Sequence, residues 1–235
     1  GVAKTTTVAN LGNCLVRNGK KVLLIDFDPQ ADLTSSLGFK NADGMEHTIK
    51  TLMEKIITKQ PIDKKEAIIT NEENIDLVPS NIELEALEAS MINFENRENI
   101  LRNYISKVKD DYDYIFIDTA PRNDILIVNS LMISDYVVIP VRSEGFSFKG
   151  FKEVLAKLRE LQDEYEIAAQ FLGAYQTAAE TSTNIYKELN AQYEEIRGAK
   201  NLPSIRKDIK VNEVLSISGS DLIKYTSSSN FLYAY

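Results

Sequence analysis

Residues 1–7 read GVAKTTT and combine small side chains with a lysine and three threonines. A loop that holds phosphate needs small residues so that backbone N–H groups can face the anion, a lysine for the outer phosphates and a hydroxyl for Mg²⁺. Lys4 and Thr5 meet the last two needs. Only half of the pattern G-x-x-x-x-G-K-[ST] is present, because Ala3 stands where the glycine before the lysine should be. By itself this stretch fits either a phosphate loop or a helix start with threonine caps.

A helix is predicted directly after this loop. Between residues 5 and 18, apolar side chains recur at helical spacing, at Val8, Leu11, Leu15 and Val16. The positive N-terminal end of such a helix would face the phosphates. Gly19 is its expected C-cap.

Two strongly apolar strands are each followed by carboxylates. Residues 22–25 precede Asp26 and Asp28, and residues 114–117 precede Asp118. Ligands bind at the C-terminal ends of strands in open α/β sheets. A strand can also end in aspartate simply because aspartate favours turns. The three stretches in this order nevertheless predict one site, and that site suits a nucleoside triphosphate.

Strand and helix patterns alternate along the whole chain. Strands are predicted at residues 22–25, 75–79, 114–118, 136–141 and 171–175. Helices are predicted at residues 45–58, 82–92, 97–109, 125–133, 148–165 and 184–195, with a turn or short helix at 32–38. This alternation predicts an α/β fold with a doubly wound, mostly parallel sheet and helices on both faces.

The composition agrees with one globular domain that spans residues 1–235. The chain has 43% hydrophobic and 26% charged residues, which is ordinary for such a domain. No run approaches the roughly 18 apolar residues of a membrane span. A single cysteine excludes an internal disulfide framework and fits the reducing cytoplasm.

Four segments resemble ParA/Soj-type partition ATPases of the deviant Walker A class. They are residues 1–38, IFIDTAP at 115–121, VNSLMISDYVVIPVRSEGFSFKGF at 128–151 and SIRKDIKVNEVL at 204–215. The resemblance covers nearly the whole chain. It implies a P-loop NTPase fold, Mg²⁺-dependent hydrolysis of ATP to ADP and phosphate, and a role in the partition of a plasmid or chromosome.

The family's loop pattern, K-G-G-V-G-K-T-T, begins before residue 1. Gly1 would be its second glycine, and the signature lysine that reaches the phosphates of the partner subunit would precede it. In such folds the loop follows the first, central strand of the sheet, and no strand precedes Gly1 in this sequence. The apolar pattern at residues 231–235 also stops partway. We therefore expect a fragment that lacks the first strand and the end of the C-terminal helix.

The resemblance also assigns roles within the nucleotide site. Lys4 would neutralise the β- and γ-phosphates, Asp28 would position or activate the attacking water, and Asp118 would bind the metal through water. Asp26 would be a supporting carboxylate. The expected catalytic residues are Lys4, Asp28 and Asp118, and the expected metal-binding residues are Thr5, Asp28 and Asp118. The expected nucleotide-binding residues are Gly1, Val2, Ala3, Lys4, Thr5, Thr6, Asp26 and Lys207.

Two positions depart from the family pattern. Ala3 replaces a glycine; if that position needs a positive φ, alanine costs stability there, and otherwise it is tolerated and hydrolysis is merely slow. Lys207 and Lys210 align with arginines in a pattern like I-P-R-x-x-R, while Arg206 replaces the proline. The second departure leaves open how this loop would contact adenine.

The resemblance implies partners and a place in the cell. ATP would assemble the chain into a homodimer that binds DNA without sequence preference, and a ParB-like centromere-binding protein would stimulate hydrolysis. No membrane is expected, and the protein would be cytoplasmic and nucleoid-associated. The formal net charge of -8 does not suggest a protein that coats itself with DNA.

A local basic patch could bind DNA despite the overall charge, because phosphate contacts act over about a Debye length, roughly 8–10 Å. The one strongly basic stretch contains Arg197, Lys200, Arg206, Lys207 and Lys210. Arg197, Lys207 and Lys210 are the candidate DNA contacts. A solvated surface cluster is the other interpretation of this stretch.

Two other functions stay open. One is a MinD-like membrane-associated ATPase of cell-division positioning, which shares the loop but uses a C-terminal amphipathic helix for attachment. Asp28-Pro29-Gln30 resembles the partition branch more closely. The other is a nucleotide-dependent DNA-binding regulator with negligible turnover, and the alanine at position 3 keeps this alternative open.

Overall fold

The structure is a computed structural model, and it describes residues 2–120, 125–142, 148–179, 182–184, 186–188, 191 and 200–205. These residues fall into two compact units. Among them, the larger unit holds residues 4–133, and the smaller unit holds residues 2–3 together with those from 134 to 205. The single domain expected from the sequence stays a prediction.

The larger unit contains a four-stranded sheet. Its strands are β1 Val22–Phe27, β2 Ile69–Thr70, β3 Asp76–Val78 and β4 Tyr114–Thr119, in the order β2-β3-β1-β4. β1 pairs in parallel with both β3 and β4, whereas β2 pairs antiparallel with β3. The C-terminal ends of β1, β3 and β4 therefore meet along one edge of the sheet, where ligands bind in folds of this class.

Six helices accompany this sheet in the described part of the larger unit. They are α1 Lys4–Arg17, α2 Asp32–Ser36, α3 Ile49–Ile57, α4 Glu83–Met91, α5 Ile100–Val108 and α6 Ile125–Ile133. Short 3-10 turns lie at Ala42–Gly44, Arg97–Asn99 and Lys109–Asp111.

Alternate residues of β1 enter two different cores, as expected for a strand that is buried on both faces. Leu23 and Ile25 pack with apolar residues of α3, α4, α5 and α6. Leu24 packs with Ala9 of α1 and Leu33 of α2 on the other face. Helices cover both faces of this sheet, as the alternation in the sequence predicts.

The end of α1 confirms the predicted glycine C-cap. Gly19 has φ 77°, and its N–H donates to the carbonyl of Val16 at 2.9 Å. The N–H of Lys20 donates to the carbonyl of Leu15 at 3.0 Å. This pair of hydrogen bonds is a Schellman motif, which favours glycine because its central residue adopts a left-handed conformation.

The smaller unit contains a three-stranded parallel sheet, β5 Tyr136–Arg142, β6 Gln170–Thr177 and β7 Lys200–Asn201, in the order β5-β6-β7. α7 Phe148–Tyr165 packs on it through an apolar cluster that includes Phe151, Leu155 and Val141. α7 matches its predicted bounds, because its apolar stripe at helical spacing is continuous.

Other elements differ from their predicted bounds. α3 begins at Ile49 rather than at residue 45, because Thr48 is extended and its N–H donates to the Thr51 hydroxyl at 3.0 Å. β2 was not predicted, because a strand of two residues carries no periodicity. The helix predicted at 184–195 lies largely outside the described residues. No helix in the described parts of the chain is long and apolar enough to cross a membrane.

Candidate functional site

Two aspartates stand side by side where β1 and β4 end. The register of the parallel pair places Asp26 opposite Asp118. Asp26 is 0% exposed and Asp118 is 3% exposed. The structure thus brings together the two strand-end carboxylates that the sequence singled out, and it buries both.

Asp26 is held by hydrogen bonds from neighbouring segments. Its Oδ2 accepts from the Thr34 N–H at 2.8 Å and from the Thr34 hydroxyl at 2.7 Å, and its Oδ1 accepts from the Asp28 N–H at 3.3 Å. Burial raises the pKa of Asp26 to about 7, and Asp118 beside it adds to the increase. The bonds donated by Thr34 and Asp28 lower that pKa, because they stabilise the ionised carboxylate.

Asp118 faces the beginning of α1. Burial raises the pKa of Asp118 to about 6, whereas a hydrogen bond from the Thr5 hydroxyl and the charge of Lys4 lower it. The nearby carboxylates of Asp28 and Asp32 act in the opposite direction. Lys4, Thr5, Asp28 and Asp118 therefore share one electrostatic environment, as the sequence predicted.

The first turn of α1 supplies further groups for an anion. The helix begins at Lys4, so the backbone N–H groups at its start point out of its positive end. The carbonyl of Thr6 accepts from the Asn10 side-chain amide at 2.7 Å. Such a helix end binds phosphate or another anion.

Ala3 precedes α1 with φ 61°, in the left-handed region. The position is therefore one that favours glycine, and the alanine methyl group introduces backbone strain. This finding decides the conformational question that the sequence left open. The consequence for hydrolysis stays a prediction.

Asp28 lies in a tight turn between β1 and α2. Its side-chain Oδ1 accepts from the Gln30 N–H at 2.9 Å, and its carbonyl accepts from the Ala31 N–H at 3.0 Å. Ala31 has φ 53°, and α2 begins at the next residue. The turn and the bond to Asp26 fix the backbone of Asp28 at the same edge of the sheet as Asp118.

The donor set fits Mg²⁺ that arrives with a phosphate chain. Mg²⁺ in nucleotide sites is held by one or two carboxylates together with substrate phosphates and water. Thr5, Asp28 and Asp118 offer a hydroxyl and two carboxylates. Among the described residues, no group of three or more histidine, cysteine or acidic side chains is arranged to hold a metal by itself. A protein-only metal cage is therefore not what these residues form.

Val2, a predicted nucleotide-binding residue, belongs to the smaller unit. The carbonyl of Val2 accepts from the Thr177 hydroxyl at 3.2 Å within the smaller unit. Gly1, Arg197, Lys207 and Lys210 lie outside the described residues, and Lys200 is described only as a backbone position in β7.

Sequence reasoning missed Thr34 and Asp32. Thr34 binds Asp26 through both its N–H and its hydroxyl, and Asp32 contributes negative charge near Asp28 and Asp118. The only available signal was their position shortly after Asp28. α2 has five residues, which is too short for a periodic pattern to separate buried from exposed positions.

Comparisons with known proteins identify the family of this chain. A family model, AAA_31, described as an AAA domain, matches residues 1–171. The sporulation initiation inhibitor protein Soj of Bacillus subtilis is 36% identical over 189 residues, which cover 79% of this chain and 71% of that protein. The chain belongs to the ParA/Soj family of partition ATPases. The chromosome-partitioning ATPase Soj of Treponema pallidum is 32% identical over 219 residues, which cover 92% of this chain and 83% of that protein.

Solved structures confirm the fold of this ParA/Soj family chain. A Borrelia burgdorferi protein described as a plasmid partition protein, bound to AMPPNP, has TM-score 0.78 and 25% identity and covers 100% of this chain and 93% of its own. Cobyrinic acid a,c-diamide synthase of Mycobacterium smegmatis, with a bound ATP analog and magnesium, has TM-score 0.80 and 27% identity. The match covers 93% of this chain and 92% of the synthase chain. The chain has the P-loop NTPase-like fold with a mostly parallel sheet that its sequence predicts.

Proposed function

We propose that this chain binds ATP with Mg²⁺ at the beginning of α1 and hydrolyses it to ADP and phosphate. The observation that carries the proposal is the contact of Thr5 with Asp118, next to Lys4 and at the end of β4. A lysine, a hydroxyl and a strand-end carboxylate are the groups that nucleotide-phosphate sites use. Two similar structures hold AMPPNP or an ATP analog with magnesium, which supports the same ligand here.

Lys4 and the first turn of α1 bind the phosphate chain in this proposal. Lys4 places a positive charge beside the outer phosphates, and the backbone N–H groups of the helix end donate to phosphate oxygens. Mg²⁺ would be held by the Thr5 hydroxyl and, through water, by the Asp118 carboxylate. Mg²⁺, when bound, neutralises charge on the β- and γ-phosphates.

Asp28 holds the attacking water in this proposal. Its carboxylate lies at the same sheet edge as Asp118, and the turn to Gln30 fixes its orientation. Phosphoryl transfer depends mainly on positioning and charge stabilisation, so one oriented carboxylate is enough for this task. The Asp26 carboxylate positions the backbone of Asp28 by accepting a hydrogen bond from the Asp28 N–H.

We further propose that ATP binding controls a homodimer that binds DNA without sequence preference in plasmid or chromosome partition. The names of the similar proteins from Treponema pallidum and Borrelia burgdorferi support this role. Arg197, Lys207 and Lys210 are the proposed DNA contacts, and a ParB-like protein is the proposed partner that stimulates hydrolysis in the cytoplasm.

Three measurements on the protein test this function. Phosphate release should require Mg²⁺, sedimentation should show a dimer with ATP and a monomer with ADP, and DNA affinity should require ATP and fall steeply with salt. Replacing Arg197 and Lys210 by alanine should weaken DNA binding without changing phosphate release in the absence of DNA. No ATP-dependent DNA binding at low salt would contradict the partition role. Binding to anionic liposomes in its place would favour the membrane-associated alternative.

A further inference from the structure

Thr34 is a buried residue that joins three segments of the larger unit. It lies on α2 and is 0% exposed. Its hydroxyl donates to Asp26 Oδ2 at 2.7 Å, and its N–H donates to the same oxygen at 2.8 Å. The hydroxyl oxygen also accepts from the N–H of Ser80 at 3.1 Å. Ser80 follows the end of β3 and is itself 0% exposed.

These bonds give the Thr34 hydroxyl one orientation. A hydroxyl has a single proton, and here that proton is committed to Asp26 because the other neighbour, the Ser80 N–H, is a donor. The hydroxyl therefore links the C-terminal end of β3 to the carboxylate at the C-terminal end of β1. Valine, which has nearly the same shape, could make neither of the two bonds that involve the hydroxyl.

Asp26 connects Thr34 to Asp28, the candidate catalytic residue. Asp26 Oδ2 is held by Thr34, and Asp26 Oδ1 accepts from the N–H of Asp28 at 3.3 Å. The same carboxylate thus bonds the helix that follows the turn and the backbone of Asp28 within the turn. A rotation of the Asp26 carboxylate would displace the Asp28 N–H and change where the Asp28 side chain points.

We propose that Thr34 is a positioning residue for ATP hydrolysis, which acts through Asp26 to fix Asp28. The inference rests on the proposed function, in which Asp28 holds the attacking water. Displacements of about 1 Å in a reacting group can cost roughly 100-fold in rate. Lys4 and the first turn of α1, which bind the phosphates, are not part of this hydrogen-bonded chain. Thr34 therefore affects turnover and leaves nucleotide binding nearly unchanged.

The test compares three variants at position 34. Thr34→Val removes the hydroxyl and keeps the shape, Thr34→Ala leaves room for a water at Asp26, and Thr34→Ser keeps the hydroxyl. Each variant is assayed for the dissociation constant of a fluorescent ATP analogue with Mg²⁺, for kcat of phosphate release and for thermal unfolding. We expect kcat to fall roughly 10- to 100-fold in Thr34→Val and Thr34→Ala, with the dissociation constant within about 3-fold of wild type. Thr34→Ser should restore most of kcat.

Thr70 provides a matched control. Its hydroxyl donates to Asp76 Oδ1 at 2.6 Å, so Thr70→Val also removes a threonine–aspartate hydrogen bond from this sheet. That pair lies at the N-terminal end of β3, at the edge opposite to Asp26. Thr70→Val should keep the wild-type kcat.

The outcomes separate this inference from the proposed function. A wild-type protein that binds ATP and releases phosphate, with Thr34→Val and Thr34→Ala retaining its kcat, would overturn the role of Thr34 alone. Equal losses in Thr34→Ser and Thr34→Ala would also overturn it, because the hydroxyl would not matter. If Thr34→Val does not fold, the comparison of Thr34→Ser with Thr34→Ala decides. A wild-type protein without phosphate release would overturn both proposals.

Discussion

Asp26 and Asp118 stand opposite each other on neighbouring parallel strands, yet they are bound by different threonines. Thr34 of α2 holds Asp26, whereas Thr5 of α1 holds Asp118. Asp26 is thereby bonded to α2 and, through Thr34, linked to Ser80 after β3. Asp118 faces the beginning of α1, where a phosphate chain would lie. Two adjacent carboxylates of similar burial therefore have different tasks, because the helices packed against them differ.

Replacing Asp28 should separate binding from hydrolysis. Asp28→Asn keeps the acceptor for the Gln30 N–H but loses the charge that orients and activates water. We expect phosphate release to fall roughly 100-fold or more, while the affinity for ATP with Mg²⁺ changes little. Asp28→Ala, which removes the whole carboxylate, should behave in the same way.

Asp63 offers a control for this variant. Its Oδ1 accepts from the Lys65 N–H at 3.0 Å, which is the same kind of turn that Asp28 makes with Gln30. Asp63→Asn should keep wild-type phosphate release. Undiminished turnover in Asp28→Asn would remove Asp28 from the mechanism.

The Thr5 hydroxyl should determine the response to Mg²⁺. Thr5→Val removes the hydroxyl, so the Mg²⁺ concentration that gives half-maximal ATP binding should rise roughly 10-fold or more. Thr5→Ser keeps the hydroxyl and should stay within about 3-fold of wild type. The measurement is a Mg²⁺ titration at constant ATP. A Thr5→Val protein with the wild-type Mg²⁺ response would place the metal elsewhere.

Ala3→Gly should stabilise the protein. Ala3 has φ 61°, so glycine removes a strain of about 1 kcal/mol. Ala9, which lies inside α1 and is 0% exposed, is the matched control, because glycine there costs about 1 kcal/mol or more. Urea unfolding should shift in opposite directions for the two variants. A destabilised Ala3→Gly protein would contradict the strained conformation.

Asp26 should make the stability of the nucleotide-free protein depend on pH. Burial raises its pKa from 3.8 to about 7, so between these values the folded state binds more protons than the unfolded state. The free energy of unfolding therefore falls as pH rises through this window and levels off above it. From pH 5 to pH 8, the unfolding free energy of wild type minus that of Asp26→Asn should decrease by about 3 kcal/mol, because only wild type carries the titrating carboxyl group. Urea unfolding at both pH values tests this, and a constant difference would contradict it.

The sequence predicted the positions of β1 and β4 well, but it did not predict the contacts that the residues after the strands make with one another. The apolar run before Asp26 and that before Asp118 identify both strands, because buried parallel strands are apolar throughout. The bond between Thr34 and Ser80 joins residues 46 positions apart. No local sequence pattern predicts such a contact, because the contact depends on how β1 and β3 pair in the sheet.

Backbone conformation was the other feature beyond local patterns. Ala31 adopts φ 53° to begin α2, although alanine ordinarily favours helical or extended backbone. The hydrogen bonds of the Asp28 turn hold it there. The family pattern has glycine at position 3, so the sequence left open whether Ala3 needs a positive φ. Only the φ angle in the structure shows which conformation the chain adopts.

The most direct test of the central claim is equilibrium binding of a fluorescent ATP analogue with Mg²⁺ to wild type, Lys4→Ala and Lys20→Ala. Lys4 begins α1, whereas Lys20 is exposed beyond the opposite end of the same helix. We predict saturable binding by wild type and Lys20→Ala, with affinity at least roughly 10-fold weaker in Lys4→Ala. Absence of binding by wild type, or equal affinity in Lys4→Ala, would contradict a nucleotide site at Lys4, Thr5 and Asp118.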